Sequence, residues 1–245
     1  MEKSFLIFLS VSLCLCGLTT TFAKIQLLSI EAFILVGGRS ARLGRDKALE
    51  QLGGKTFAER ALTAVQDSGV AEKITFVAGS RIAFAIEAER IDTPFVFDTI
   101  EGRGPVGGLH TALTNSAAEW AFILACDLPF VTAELIRRLA AYTHGEPGDI
   151  GAVVPEQPDG RLQPLCGFYR VAAARPIVED IIARPRPSPS MLSIVELLDA
   201  RIVTPAEYRS PGLPANVSYF SNINTEEDLT DARELERKLS GRSEI

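Results

Sequence analysis

The chain has 245 residues, 47% hydrophobic and 23% charged, which is ordinary globular composition and enough for a sizeable core. A net charge of −6, with no basic face, argues against a general nucleic-acid binder. Two histidines and four cysteines without CxxC or Cys/His ligand spacing give little support to a His-based metal centre or a His-centred triad; Cys126 and Cys166 read as small buried hydrophobes.

Residues 1–23 form an apolar leader in which Phe5 to Leu18 is almost wholly apolar and Glu2 cancels Lys3. Three readings stay open: a start site upstream of the working protein, a secretory signal, and a membrane anchor. The leader is set aside, and residues 24–245 are expected to be one domain. No membrane association is expected, and the expected location is the cytoplasm.

In the rest of the chain, 31–37 reads as a buried strand leading into a glycine-rich loop. Thr56 and Glu59 match a capping box, so a helix should run to about Asp67 and stop at Gly69. Residues 73–78 are β-rich, 81–90 helical, and 94–97 a third strand ending at Asp98. Pro105 fits a helix first turn, and that helix should continue through Leu113. The apolar run from Trp120 to Ala125 predicts a strand buried on both faces. Thr132 caps a helix to about Tyr142. Alternating strand and helix imply an α/β fold: a mostly parallel sheet with helices on both faces.

The second half is less regular. Strands are expected at 150–154 and near 166–170, and a helix to Ile182 with Pro176 in its first turn. Prolines 185, 187 and 189 exclude a helix. A short helix is expected at 193–198. Thr225 caps the last helix, Glu226 to about Leu239.

Chemistry concentrates at three strand ends. Gly37 and Gly38 let backbone N–H groups approach a phosphate chain, and Arg42 and Lys47 can neutralise it. The loop lacks GK[ST], so it is not a P-loop, and it lacks the GxGxxG spacing. In an open α/β sheet, ligands lie beyond the C-terminal strand ends, where Asp98 and Asp127 also fall. Asp127 ends the most apolar strand; a carboxylate there needs a cation, and Mg²⁺ shared with phosphates is a natural partner. Asp98 can accept from a base or ribose, or close the turn before Gly102. Asn222 and Asn224 can form a turn or cap the last helix.

Five motifs occur in a set order: Leu35-Val36-Gly37-Gly38-Arg39-Ser40-x-Arg42-x-Gly44-x-x-Lys47; Asp98 with Gly104-Pro105-Val106-Gly107-Gly108-Leu109; Ala125-Cys126-Asp127-Leu128-Pro129-Phe130; Gln163-Pro164-Leu165; and Asn222-Ile223-Asn224-Thr225. In this the chain resembles the molybdenum cofactor guanylyltransferases over about residues 31 to 240. The resemblance implies a Rossmann-like fold of the nucleotide-diphospho-sugar transferase type, binding GTP with Mg²⁺ as cofactor. Guanine would meet Leu35, Val36, Gly37, Gly38 and Asp98. Lys47 would contact phosphate, Arg42 would assist it, Asp127 would hold the metal, and Asn222 and Asn224 would face the molybdopterin. Val36 replaces the family's usual alanine, Gly79 or Ser80 stands where an asparagine is usual, and the leader is no family feature.

The implied reaction transfers GMP from GTP to the terminal phosphate of Mo-molybdopterin, releasing pyrophosphate. Molybdoenzyme apo-proteins or chaperones would be further partners. Two other readings stand beside it: a CTP-dependent cytidylyltransferase of molybdopterin or of a sugar or polyol phosphate, and a non-catalytic adaptor that delivers the cofactor.

Overall fold

The computed structural model describes residues 28–36, 47–79, 92–98, 100, 102–144, 150–185, 190–209 and 219–240. The expectations for the leader, for Gly37, Gly38 and Arg42 in the glycine loop, for Ser80, for a helix over 81–90 and for prolines 187 and 189 lie outside the described residues.

Strand β1 (Ile30–Leu35) and β6 (Trp120–Ala125) form the centre of the sheet. All six residues of β6 are buried, as an apolar run without alternation requires. Side chains on β1 alternate between faces. Ile30, Ala32 and Ile34 join one apolar cluster, and Phe33 and Leu35 the other. The first cluster is closed by α1 (Phe57–Ser68) and α3 (Ala133–Ala140), the second by α2 (Pro105–Asn115), α4 (Val171–Ala183) and α5 (Met191–Leu197). Each large apolar side chain so buried contributes roughly 1.5–3 kcal/mol.

The remaining strands are β2 (Gln51–Leu52), β3 (Lys55–Thr56), β4 (Lys73–Ala78), β5 (Phe95–Phe97), β7 (Ala152–Pro155), β8 (Cys166–Arg170) and β9 (Arg201–Val203). The seven-stranded sheet runs β5-β4-β1-β6-β8-β7-β9. β5, β4, β1 and β6 are mutually parallel; β8 is antiparallel to both of its neighbours, and β9 is parallel to β7. The chain lays β4 and β5 on one side of β1 and returns to place β6 on the other. The crevice at such a reversal is where ligands sit in open α/β sheets.

Local signals explain most boundaries. The Thr56 N–H donates to Glu59 Oε2 at 2.7 Å, and Glu59 N–H to Thr56 Oγ1 at 3.1 Å, so both ends of the capping box are made. Gly69 ends α1 with φ 66°, a left-handed conformation that glycine adopts without a Cβ penalty. Thr132 caps α3 through Leu135 N–H.

The structure corrects several boundaries: the first strand ends at Leu35 rather than 37, and the short helix expected at 193–198 spans Met191–Leu197. Pro176 lies inside α4 rather than in its first turn. The helix begins at once after β8 because the Val171 N–H finds the Glu119 carbonyl at 2.9 Å. The lost backbone bond at Pro176 is offset by burial of Val171, Ala174, Val178 and Ile181. α3 stops at Ala140 and tightens into a 3₁₀ turn, Ala141–His144, before Tyr142 would complete it. The strand expected from 150 begins at Ala152. The β2–β3 hairpin escaped the sequence reading: two residues per strand carry no periodicity, although Gly53 and Gly54, both at positive φ, form its turn. Two further elements close the chain, a helical turn α6 (Pro205–Tyr208) and α7 (Glu226–Ser240). Among the described residues no helix is long and apolar enough to cross a membrane.

Candidate active site

The rim of the site is built by backbone bonds that continue the sheet past its strand ends. Val36 N–H donates to Val77 O at 2.9 Å, Asp98 N–H to Ala78 O at 2.8 Å, and Cys126 N–H to Leu35 O at 3.1 Å. Leu35, Val36, Asp98 and Asp127 therefore share the C-terminal edge of the parallel strands. The Val36 side chain is buried in the α1-side cluster, so its extra bulk over alanine fills core, not the rim. Leu35 is buried on the opposite face, beneath α2.

Two glycines let α2 come that close. A Cβ on Gly108 would lie 3.2 Å from Leu35 Cδ1, and one on Gly107 would lie 2.7 Å from Asp98 Oδ2. The other Asp98 oxygen accepts from Ile100 N–H at 3.0 Å and from the Thr111 hydroxyl at 3.2 Å. Asp98 thus closes the turn, as one sequence reading had it, and its carboxylate is pinned against the start of α2.

A second group gathers around Lys47, which opens a 3₁₀ turn (Lys47–Leu49). Its Nζ is 3.6 Å from Asp127 Oδ2 and donates to Asn224 Oδ1. Asp127 sits in the turn that follows β6, and its carbonyl accepts from Ile223 N–H at 3.2 Å, which draws in the 222–224 segment. Burial holds the Asp127 carboxyl above the usual carboxylate range, and the Lys47 ammonium only partly opposes that. Since Thr132 caps α3, Asp127 is not spent on a helix terminus.

Asn224 is itself oriented. The N–H groups of Asn224 and Thr225 both donate to Asp228 Oδ2 at 2.8 Å, and Asp228 N–H returns a bond to Thr225 Oγ1 at 3.1 Å. The Asn224 N–H is the foremost of the bonds that hold the Asp228 carboxyl below its ordinary value. Asn222 and Asn224 are both exposed, and both line a cleft of about 720 Å³ bordered also by Phe130, Arg161, Arg209 and Asp231.

Arg60 ties this corner together. Its Nε donates to Pro129 O at 3.1 Å, its Nη1 to Leu52 O at 3.2 Å, and its guanidinium meets Glu236 of α7 in a bidentate pair at 2.9 and 3.2 Å. Sequence reasoning passed over Arg60, Thr111 and Asp228. Only Asp228 had a local signal, the Thr-x-x-Asp spacing after Asn224.

Among the described residues no group of three or more His, Cys, Asp or Glu side chains is placed to hold a metal ion. Asp127 offers a single carboxylate beside a cation. That donor set suits a hard divalent ion whose other ligands are phosphate oxygens and water, and does not suit an all-protein cage.

Residues 32–200 match the MobA-like NTP transferase domain. The chain belongs to that family. A probable molybdenum cofactor guanylyltransferase of Pelotomaculum thermopropionicum is 30% identical over 219 residues, 88% of this chain and 98% of the relative. One from Halalkalibacterium halodurans is 31% identical over 203 residues, 81% of this chain and 94% of the relative. The crystal structure of molybdopterin-guanine dinucleotide biosynthesis protein A from Archaeoglobus fulgidus superposes with a TM-score of 0.69 at 25% identity, over 85% of this chain and 99% of that one. The chain is a nucleotidyltransferase of this family, with the mostly parallel sheet expected of it. The matched domain contains Lys47, Asp98 and Asp127; Asn222 and Asn224 lie beyond it.

Proposed function

We infer that this transferase moves GMP from GTP to the terminal phosphate of Mo-molybdopterin, forming a guanine dinucleotide and pyrophosphate. The observation that carries the reading is the Lys47 ammonium held between Asp127 and Asn224. One cation then touches both the carboxylate at the end of β6 and the amide that opens onto the neighbouring cleft. Guanine is assigned to the Leu35–Gly38 backbone and Asp98, the triphosphate to Lys47 and Arg42, and the acceptor to Asn222 and Asn224.

The nucleophile is a phosphate oxygen already ionised near neutral pH, so no general base is required. Its bond to the α-phosphorus forms as the bond to the β-phosphate bridge breaks, and the electron pair leaves with pyrophosphate. Lys47 and Arg42 would stabilise the charge that gathers on the transferring and leaving oxygens. Asp127 would hold Mg²⁺, which supplies further neutralisation of the phosphates when bound. The product would pass to a molybdoenzyme apo-protein or its chaperone, in the cytoplasm.

The deciding assay measures pyrophosphate release from GTP or CTP with Mg²⁺ and Mo-molybdopterin. Release with GTP well above CTP is expected. A preference for CTP would replace guanylyl by cytidylyl transfer, and binding of both substrates without release would make the protein an adaptor.

A further inference from the structure

The charges lining the cleft beside Asn222 and Asn224 are not equally engaged. Asp159 takes Arg161 through Nε at 2.7 Å and Nη2 at 2.6 Å, so these two largely cancel. Asp228 is occupied by two backbone N–H groups. Two charges are left. Arg209 follows α6 and bonds through its backbone N–H to Pro205 O at 3.0 Å; its exposed guanidinium has no ion pair among the described residues. Asp231 is exposed on α7, one turn beyond Asp228, and its carboxylate likewise has no ion pair among the described residues.

One cation and one carboxylate without an ion pair among the described residues suit a ligand with an anionic group and a pair of neighbouring N–H donors. The acceptor inferred above carries both. Its metal–dithiolene end is anionic. The 2-amino-4-oxo edge of its pterin presents N–H and NH₂ side by side, which a carboxylate accepts in parallel. Its terminal phosphate has to reach the Lys47–Asp127 pair, which adjoins the cleft at Asn224. The body of the molecule then extends along the cleft.

We propose that Arg209 and Asp231 recognise the acceptor, Arg209 through its anionic metal–dithiolene end and Asp231 through the pterin's donor edge. The proposal rests on the reading of the acceptor as Mo-molybdopterin. Both residues line the acceptor cleft and neither is among the groups assigned to the nucleotide, so the two would act on acceptor affinity and not on GTP.

The test uses the full chain with R209A, R209K and D231N. Steady-state pyrophosphate release gives KM for each substrate, and isothermal titration calorimetry gives binding of Mo-molybdopterin without GTP. R209A and D231N should each raise acceptor KM and Kd about tenfold, in line with loss of one charged hydrogen-bonding group. GTP KM and kcat should stay within about twofold, and R209K should recover part of the loss. An unchanged acceptor Kd, or an equal rise in GTP KM, overturns the assignment. If the wild type binds the acceptor through Arg209 but releases no pyrophosphate, the transfer reading falls while the site stands. If the wild type does not bind the acceptor, the site falls.

Discussion

The two halves of the sheet do different work with different materials. The β5-β4-β1-β6 half is parallel, and its rim is set by backbone bonds in register with the strands: Val36 to Val77, Asp98 to Ala78, Cys126 to Leu35. The β8-β7-β9 half, with α6 and α7, contributes loops and side chains: Arg161, Arg209, Asn222, Asn224 and Asp231. The halves are joined near the site by a few polar contacts. Lys47 reaches Asn224, Asp127 O meets Ile223 N–H, and Arg60 grips Glu236. A reaction between two large substrates suits that division, with a rim built from backbone for one, a cleft lined by side chains for the other, and Lys47 at the join.

Removing a charge at the join should have the largest effect. Lys47→Ala and Asp127→Ala are each expected to lower the rate of pyrophosphate release by about 10²–10³-fold or more. Circular dichroism at the assay temperature should show each variant folded, so that the loss reads on the chemistry and not on the fold. Kinetics like the wild type in either variant would remove it from the phosphate site and move the chemistry elsewhere on the rim.

The next effect concerns what keeps the halves in register. Arg60→Met deletes bonds to Pro129, Leu52 and Glu236 and leaves the Glu236 carboxylate, only 21% exposed, without its partner. A loss of about 2–4 kcal/mol in urea unfolding is expected. A loss below about 0.5 kcal/mol, within the range of neutral surface changes, would mean that Arg60 adds little to the β6–β8 ladder and the apolar packing that join the halves.

Within the rim, Gly107→Ala places a methyl 2.7 Å from Asp98 Oδ2 and 3.2 Å from Ile100 O. About 1–3 kcal/mol of stability should be lost by overpacking, and the KM for GTP should rise as Asp98 is displaced. An unchanged GTP KM alongside the lost stability would separate Asp98 from the nucleotide.

The smallest effect tests the acceptor side. Asp228→Ala removes the carboxylate that orients Asn224 and Thr225, at a cost of about 1 kcal/mol. Because the folded Asp228 carboxyl is held below its ordinary value, its stabilisation is present above the usual carboxylate range. It is lost as pH falls through the lowered folded value. The difference between wild type and variant should therefore be full at neutral pH and fade in acid; a difference that grew in acid would contradict the bonding.

What the sequence disclosed follows the same division. β4 and β6 read correctly because apolar runs mark them, and α1 because its cap and its glycine stop are local. Lys47 was legible as a basic residue of the glycine-rich loop, and Asp127 as a carboxylate at a strand end. Their meeting with Asn224 was not, because the Lys47–Asn224 contact spans 177 positions and depends on how α7 packs. Arg60 carried no signal, since a helical arginine is ordinary until its four acceptors come from three separate segments. The irregular half hid β9, which has only three residues, and the start of α4, which lies five residues before Pro176.

The burial of Val36 has a consequence for reading and engineering nucleotide choice. The side chain belongs to the same cluster as Ala48 and Leu52 and is 4% exposed. A designer who enlarges or shrinks it adjusts a volume shared with those neighbours, and the gain or loss is repaid in packing. Position 36 is therefore a poor dial for base selectivity, and an Ala-to-Val difference there between two relatives records how each filled its interior.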